Sequence, residues 1–491
     1  MKRALAPVVL LFALLSVVLA PPVPAQGDGS LEAFGLLISG QSLPSFTLIG
    51  AGARPAGMGG AFTALADDAA ATSFNPAGLA LLLKPEVSVV LDGQRRGDAY
   101  LPFTNVEAGV LDVYSGAESS FSTQDLNFAA FTVPFKVASR NLCLQLSYHR
   151  QIDFAFESER RFEESLAAGG DPFARYLQQV DQSGDLHTFS LAAAYQLTQR
   201  LSLGAGLSRW DGDWTFSTFN TETELPEDVV DHLLYVQSNE LTGWSWSLGL
   251  LLRYRYLNVG ATWRLGFAGD YTFSSLLDTN VPTVLTSQPA VTRTLHWPTS
   301  STIGIAVKPT ATWHVTVDYT RFSWSEMEIR GVGQNGSSLN FFDLRPSAQT
   351  VTPDVEQWRV GTEYTLFVRD RPLFLRGGYF REPEPRGTSI DGKIDFTGYS
   401  AGLGFVLGPL RLDVAYQRRT GRAAVQQLID PSIVATGSVT GQAIGDIDTT
   451  DERFFVALLY QFSSSDKLKD VFRFLFVGPR KKAVPPPGGG A

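Results

Sequence analysis

The chain has 491 residues, a formal net charge of −9 and 18% charged residues, which is below the roughly 25% of an ordinary soluble domain. Its 44% hydrophobic content excludes a disordered chain, and no basic patch dominates the sequence, so we expect no nucleic-acid partner. The single cysteine, Cys143, excludes a disulfide scaffold, and the five histidines lack metal-ligand spacing, so we expect no metal and no cofactor.

The first 25 residues have the three parts of a secretory signal peptide. Lys2 and Arg3 supply the positive charge, residues 4–20 are apolar, and small residues at 23–25 precede a predicted cleavage site ahead of Gln26. The alternative is an uncleaved anchor, which the short apolar run disfavours. No later run of 18 apolar residues occurs, so a mature protein that spans a membrane must do so as a β-barrel.

Residues 26–84 are rich in glycine and alanine, and residues 50–62 read GAGARPAGMGGAF. No Gly-Lys-Ser/Thr element follows, which disfavours a phosphate-binding loop. The small residues instead predict a compact segment that packs close to other backbone. Pro76 disfavours helical geometry at Asn75 and predicts a turn at this step.

From about residue 126 onward, apolar and polar residues alternate with the period of a β-strand. Clear examples are residues 201–208, 311–324 and 410–417. A soluble β-sandwich also alternates. The length of the segments, the Trp and Tyr near their ends and the Gly, Ser and Thr on the opposite face favour a membrane barrel.

Short and long connections alternate along this region. Turns are predicted near residues 135–141, 197–200, 254–257, 308–311, 368–372 and 407–409. Extracellular loops are predicted at residues 93–125, 157–186, 220–240, 276–297, 331–354 and 420–451, with a short one at 382–392 and a loop helix at 162–179.

These connections predict an all-β, transmembrane antiparallel barrel of about 14 strands over residues 85–462. The first strand is expected near residues 86–92 and the last at 453–462, with both barrel ends on the periplasmic side. The tail at 463–491 is predicted to be partly disordered, with a short interfacial helix at 467–476.

Two motifs near the N-terminus carry a resemblance to a known family. Ala66-Asp67-Asp68-Ala69 and Asn75-Pro76-Ala77-Gly78-Leu79, together with the glycine-rich stretch before them, resemble the N-terminal hatch of the FadL/TodX outer-membrane transporters. Residues 298–309 and 376–379 are similar to the family's barrel strands. The resemblance implies a fourteen-stranded barrel whose lumen is plugged by its own hatch, here residues 26–84.

The resemblance also implies a function, namely passive uptake of hydrophobic compounds such as long-chain fatty acids or aromatic hydrocarbons across the outer membrane of a Gram-negative-type bacterium. The expected partners are that hydrophobic cargo and the outer-membrane lipid. The family's route passes the hatch and leaves sideways through a gap beside a kinked strand. Residues 141–156 would hold that kink, but they contain no Pro or Gly, so the position of any gap stays open.

The candidate hatch and gating residues come from the two motifs. They are Asn75, Pro76, Ala77, Gly78, Asp67 and Asp68. Their expected role is to hold and move the plug, while the substrate-binding residues stay unknown. Asp67 and Asp68 are expected either to pair with a lumen-facing arginine (Arg359, Arg376 or Arg411) or to cap a turn. Solvated pairs between strands are expected for His314, Asp318, Arg411 and Asp413.

Three other functions are open at this point. Residues 53–61 also look like PorV-type barrels, relatives that shuttle exported proteins, so an exported protein is the partner in that alternative. An outer-membrane enzyme is disfavoured, because no Gly-x-Ser-x-Gly element accompanies His149 or His314. A general porin is disfavoured by the plug-like segment. Phe341, Phe342 and Leu344 are expected either to form a buried loop or to contact cargo.

Overall fold

The computed structural model describes residues 48–100, 103–107, 110–114, 117–166, 174–224, 229–280, 283–333, 336–343, 345–385, 394–426 and 443–462. The predicted signal peptide, the first part of the predicted hatch and the predicted C-terminal tail lie outside these residues. Within the described ranges, no helix has the length and apolar character needed to cross a membrane.

Helices are short and few in the described residues. They are α1 (Ala53–Gly57), α2 (Ala71–Phe74) and three 3-10 helices at Pro76–Leu81, Trp324–Glu326 and Ser347–Gln349. The first strands are β1 (Glu86–Tyr100), β2 (Phe103–Glu107), β3 (Val110–Tyr114), β4 (Ala117–Val137), β5 (Arg140–Asp153), β6 (Phe156–Leu166), β7 (Ala174–Gln196), β8 (Leu201–Glu224), β9 (Val229–Arg253), β10 (Leu257–Arg264) and β11 (Phe267–Asn280). The remaining strands are β12 (Thr283–Trp297), β13 (Ser300–Thr310), β14 (Trp313–Phe322), β15 (Glu328–Ile329), β16 (Leu339–Asn340), β17 (Val355–Val368), β18 (Arg371–Glu384), β19 (Ile394–Leu407), β20 (Leu410–Gln426) and β21 (Ala443–Gln461).

The described strands form a closed antiparallel barrel of 14 strands, which confirms the predicted fold class. Pairing of β1 with β21 closes the sheet, from Glu86 opposite Gln461 to Tyr100 opposite Ile447. Three barrel strands are interrupted. β5 with β6, β10 with β11 and β13 with β12 each follow one path with a break between the two parts.

The outer face of the barrel carries an apolar band. Along β9, Trp244 and Leu248 are exposed, whereas the next inward positions hold Gly249 and the fully buried Leu251. Other strands around the barrel add exposed apolar side chains, among them Leu146, Leu191, Ile303, Val360 and Leu458. About nine to eleven residues of a tilted strand cross a bilayer, and the outward apolar run on β9 has this length.

Several strands continue far beyond this band. β7, β8 and β9 contain 23, 24 and 25 residues, about twice what a bilayer requires. The outward side chains of β9 beyond Trp244 begin with Thr242 and Glu240. Most of the predicted extracellular loops are therefore largely strand, and the prediction was wrong for them, whereas the described part of residues 331–354 is a loop with the short β16. Outside the lipid the outer face turns polar while backbone pairing continues, so the alternation fades although the strand does not.

The predicted loop helix at residues 162–179 was also wrong. Its described parts belong to β6 and β7, which pair directly, with Phe162 opposite Tyr176. A helix-like spacing of apolar residues was overridden by the hydrogen bonds that a neighbouring strand offers.

The segment between β14 and β17 folds inward and packs against the inner faces of β8, β11 and β12. Its buried members are Trp324, Met327, Ile329, Val332, Leu339, Phe341 and Phe342, which join the inward aromatic side chains of those strands in one apolar cluster. Phe341 and Phe342 are thus part of a buried loop, and Leu344 lies outside the described residues. The side chain of Asn340 holds the loop by accepting from Phe342 N and Thr352 Oγ1.

Candidate functional site

Residues 48–84, here called the N-terminal segment, pack against the inner face of the barrel. Inward-facing glycines on several strands allow this close approach. A Cβ atom at Gly204 would lie 2.3 Å from Ala77 N, and one at Gly378 would lie 2.3 Å from Gly59 N. The wall glycines that touch the segment in this way include Gly204, Gly249, Gly260, Gly361 and Gly378. Larger residues at these positions would collide with the backbone of the segment.

Asn75 is fully buried where the segment meets β9. Its Nδ2 donates to the carbonyls of Thr63 and Leu250, both at 3.0 Å, and its Oδ1 accepts from Ala77 N at 3.1 Å. Its backbone is extended, as the following proline requires, and it separates α2 from the 3-10 helix. Pro76 occupies the first position of that helix, where a missing N–H costs nothing.

Gly78 completes the motif, because a Cβ at this position would lie 1.8 Å from the carbonyl oxygen of Ala66. The four residues Asn75 to Gly78 therefore join the two halves of the segment to each other and to the wall. The structure brings them together as one contact region.

Replacing Asn75 with alanine is expected to loosen the segment. Two buried carbonyls would lose their donor, which costs about 1–3 kcal/mol, and every 1.4 kcal/mol changes an opening equilibrium about tenfold. Limited proteolysis of the folded barrel should show cleavage within residues 48–84 about 5 to 100 times faster than in the wild type. Lys84→Ala, at an exposed position of the same segment, should leave the cleavage rate unchanged, and an unchanged rate in Asn75→Ala would contradict this role.

Arg54 anchors the segment by charge. Its Nε and Nη2 donate to the two carboxylate oxygens of Glu363 on β17 at 2.8 and 2.9 Å. Its Nη1 contacts Asp67 and, at 3.2 Å, Asp68. The two aspartates thus pair with an arginine of their own segment and not with Arg359, Arg376 or Arg411, so that branch of the prediction was wrong. Those wall arginines pair with wall carboxylates instead, namely Arg359 with Glu382, Arg376 with Glu363 and Asp413, and Arg411 with Asp413. The other branch, a capped turn, holds for Asp68, whose Oδ1 accepts from Ala70 N at 3.0 Å.

Burial and charge act against each other in this cluster. Burial by itself would lower the pKa of Arg54, but the charges of Asp67, Glu363 and Asp68 outweigh it and hold that pKa well above its ordinary value. Burial raises the pKa of Asp68, and the neighbouring Arg54 offsets part of this shift. Arg54 therefore stays charged, and its ion pairs with Glu363 and Asp68 are shielded from solvent, whereas Asp67 is exposed.

The predictions for the other charged residues of the wall had different outcomes. His314 Nδ1 lies 3.7 Å from Glu363 on the next strand, as an inter-strand pair would. Arg411 pairs with Asp413 of its own strand. Asp318 is buried and accepts from the backbone N–H groups of Phe62 and Thr63, at 2.9 and 2.8 Å. The prediction of a solvated inter-strand pair was wrong for Asp318, because the segment supplies its donors.

A cavity of about 170 Å³ is lined by the segment and by the inner face of the barrel. One part of its wall, the hydroxyl belt, consists of Ser147, Ser190, Ser208, Ser245, Ser247, Ser300, Thr302 and Thr320. A second part, the aromatic wall, consists of Trp210, Phe267, Trp297 and Phe322. Trp297 packs against Trp210 and Phe267 with ring centroids 4.8 and 5.9 Å apart. This arrangement suits an apolar molecule with a polar end.

A seam opens in the barrel wall between β4 and the path formed by β5 and β6. Backbone pairing between β4 and β5 ends at Phe128 and His149, and among the described strands no ladder joins β4 to β5 or β6 beyond this row. The strand path breaks between Asp153 and Phe156. The sequence had left the position of a gap open, because neither Pro nor Gly marks this break.

Side chains bridge the seam where the backbone does not. Arg150 on β5 donates to Asp125 on β4 and to Asp92 on β1, both at 2.7 Å, and to Asp153 at 2.8 Å. Thr123 Oγ1 donates to Asp153 Oδ2 at 3.2 Å. The segment reaches the same place, because Ile49 N donates to the carbonyl of Gln151 at 2.8 Å, where the β5–β7 register shifts.

A family model described as outer membrane protein transport protein (OMPP1/FadL/TodX) matches residues 37–447. The chain belongs to this family. A solved structure of a Pseudomonas aeruginosa FadL homologue is 13% identical, with a TM-score of 0.59, and the match covers 85% of this chain and 99% of that one. The P. putida toluene transporter TodX is 15% identical, with a TM-score of 0.52 over 84% and 99% of the two chains. No curated protein matches the chain.

This FadL/TodX family member is an outer-membrane protein, and the family assignment made from its hatch motifs is confirmed. The structural neighbours share its barrel fold. The matches do not favour the alternative of a barrel that shuttles exported proteins. The family is one of transport proteins rather than enzymes. In the described part of the chain, no group of three His, Cys, Asp or Glu side chains could hold a metal ion.

The sequence did not identify two arginines of this family member that form ion pairs with several carboxylates in the structure. Arg54 is the one charged residue in the stretch 50–66, and that isolation within small apolar residues was a usable signal. Arg150 carried no such signal, because charged residues are common on lumen-facing positions. Only the strand register shows that it faces three carboxylates.

Proposed function

We propose that this protein takes up hydrophobic compounds, such as long-chain fatty acids or aromatic hydrocarbons, across the outer membrane without an energy source of its own. The observation that carries the proposal is the cavity with its aromatic wall and hydroxyl belt, in a barrel of a transport family. Four large aromatic side chains allow an apolar molecule to bury its surface away from water, which is favourable.

The proposed route has three parts. Cargo enters the cavity from outside, the N-terminal segment acts as the hatch that blocks a straight aqueous path, and cargo leaves sideways through the seam. Asn75, Pro76, Ala77 and Gly78, with Asp67 and Asp68, hold this hatch in place. The contact of Ile49 with Gln151 supports a coupling between the hatch and the seam.

Filling the cavity is the direct test. Ser208 lines the cavity, and Ala205 on the same strand has an outward position. In cells that express the full chain, uptake of radiolabelled oleate or toluene should exceed that of cells with an empty vector. Ser208→Trp should reduce uptake to the empty-vector level, because the indole occupies the space that cargo needs.

Ala205→Trp is the matched control, since it places the same side chain against lipid, and it should transport like the wild type. Heat-dependent migration in gels shows whether each variant is a folded barrel. Equal uptake with and without the wild-type protein, for both compounds, would contradict the proposed function.

A further inference from the structure

The hydroxyl belt runs across neighbouring strands and is interrupted by one charged side chain. Ser147 lies opposite Ser190, which lies opposite Ser208, which lies opposite Ser245. The belt continues where Ser247 faces Arg264 and Arg264 faces Ser300. Arg264 therefore stands between two serines that line the same cavity.

The other arginines at this cavity are paired with carboxylates. Arg359 pairs with Glu382, and Asp451 pairs with Arg419 at 2.8 Å and with Arg453 at 3.5 Å. Arg264 instead donates one N–H to the carbonyl of Ser73, and within the described residues no carboxylate forms an ion pair with it. A guanidinium has five N–H donors, so Arg264 keeps donors and a whole positive charge for a partner in the cavity.

The aromatic wall lies close to Arg264 along the same strand paths. Phe267 follows Arg264 by three residues, across the break between β10 and β11. On the neighbouring path, Ser300 of β13 lies opposite Arg264, and Trp297 precedes Ser300 by three residues. A molecule that places its apolar body against these rings brings its end to the hydroxyl belt and the guanidinium. Neutral hydrocarbons have no group for Arg264, whereas a carboxylate can accept two of its N–H groups.

We propose that Arg264 is a carboxylate-binding residue that makes this protein select acidic amphipathic cargo over neutral hydrocarbons of the same length. This selectivity rests on the proposed function, since it assigns the cargo class of the same cavity. The serines that flank Arg264 add hydroxyl donors to the carboxylate. Its hydrogen bond to Ser73 keeps the guanidinium in the belt.

Binding of dodecanoate and 1-dodecanol to the purified full chain tests this residue. Trp210 and Trp297 line the cavity, so their fluorescence reports both ligands. At neutral pH the wild type should bind dodecanoate about tenfold more tightly than dodecanol, the difference that a charge-assisted hydrogen bond supplies. Arg264→Met should weaken dodecanoate binding about tenfold and leave dodecanol within about twofold, while Arg264→Lys should keep most of the preference.

Two further variants make the result decisive. Arg209 packs over Trp244 on the outer face. The control Arg209→Met removes a positive charge there and should leave both affinities unchanged. Ser247→Asp keeps Arg264 but gives it a carboxylate partner, so it should abolish the preference even if Arg264→Met does not fold. An acid preference that survives in both Arg264→Met and Ser247→Asp would overturn the proposal. Equal binding of both ligands by the wild type would also overturn the proposal for Arg264 but would leave the proposed uptake function unaffected. If neither ligand bound, the result would count against the proposed function itself.

Discussion

Replacing Arg54 with methionine is expected to release the N-terminal segment from the barrel wall. The side chain of Arg54 is 7% exposed and that of Glu363 is 2% exposed. The substitution leaves the buried Asp68 without its arginine and removes one of the two arginines that pair with Glu363. Breaking a buried ion pair by removing one partner costs about 3–5 kcal/mol, or two to four powers of ten in the opening equilibrium. Proteolysis within residues 48–84 should accelerate accordingly, and liposomes that contain the variant should become permeable to small sugars.

Arg95→Met is the control for this experiment, because Arg95 is an exposed residue of β1. It removes the same charge without touching the segment and should behave like the wild type. A double-mutant cycle with Glu363→Gln should give a coupling energy of about 1 kcal/mol or more, since the two side chains form a direct two-point contact. If Arg54→Met were as protease-resistant and as impermeable to sugars as the wild type, the segment would not be held by this cluster.

Replacing Arg150 with methionine is expected to open the seam. The side chains of Asp92 and Asp153 are 1% and 4% exposed, and without Arg150 their charges repel each other across a place that no backbone ladder closes. Transfer of a fluorescent fatty acid from the protein into surrounding lipid should therefore become faster, by about tenfold or more if the cost resembles that of other broken buried pairs.

A covalent bridge should have the opposite effect. Thr123→Cys combined with Asp153→Cys joins the two sides of the seam at a point where the native side chains already make a hydrogen bond, with Cys143 replaced by serine to prevent exchange. The oxidised variant should bind cargo but transfer it slowly, and reduction should restore transfer. Rapid transfer in the oxidised variant would place the exit elsewhere, for example straight through the hatch.

The membrane barrel could be predicted from the sequence, because lipid and lumen demand opposite side chains at alternate positions of each strand. The turns between β4 and β5, β13 and β14, and β19 and β20 lie where short links were predicted, because the same alternation marks where each strand ends. The parts of β7, β8 and β9 that continue beyond the apolar band could not be predicted. Their outer faces meet water instead of lipid, so the pattern that identifies a strand is lost there while its hydrogen bonds persist.

The hatch motif by itself indicated that Asn75 and Gly78 sit in a crowded place, since small residues and an Asn-Pro step predict tight backbone packing. Which groups they meet depends on strand register. Asn75 reaches Leu250, and Arg54 reaches Glu363, across 175 and 309 residues of chain. The sequence determined the alternation of apolar and polar positions and therefore the barrel. Closure of the barrel alone decided which charges pair, where backbone pairing in the wall is missing and which cavity arginine has no carboxylate partner among the described residues. These features depend on side chains that no local pattern brings together.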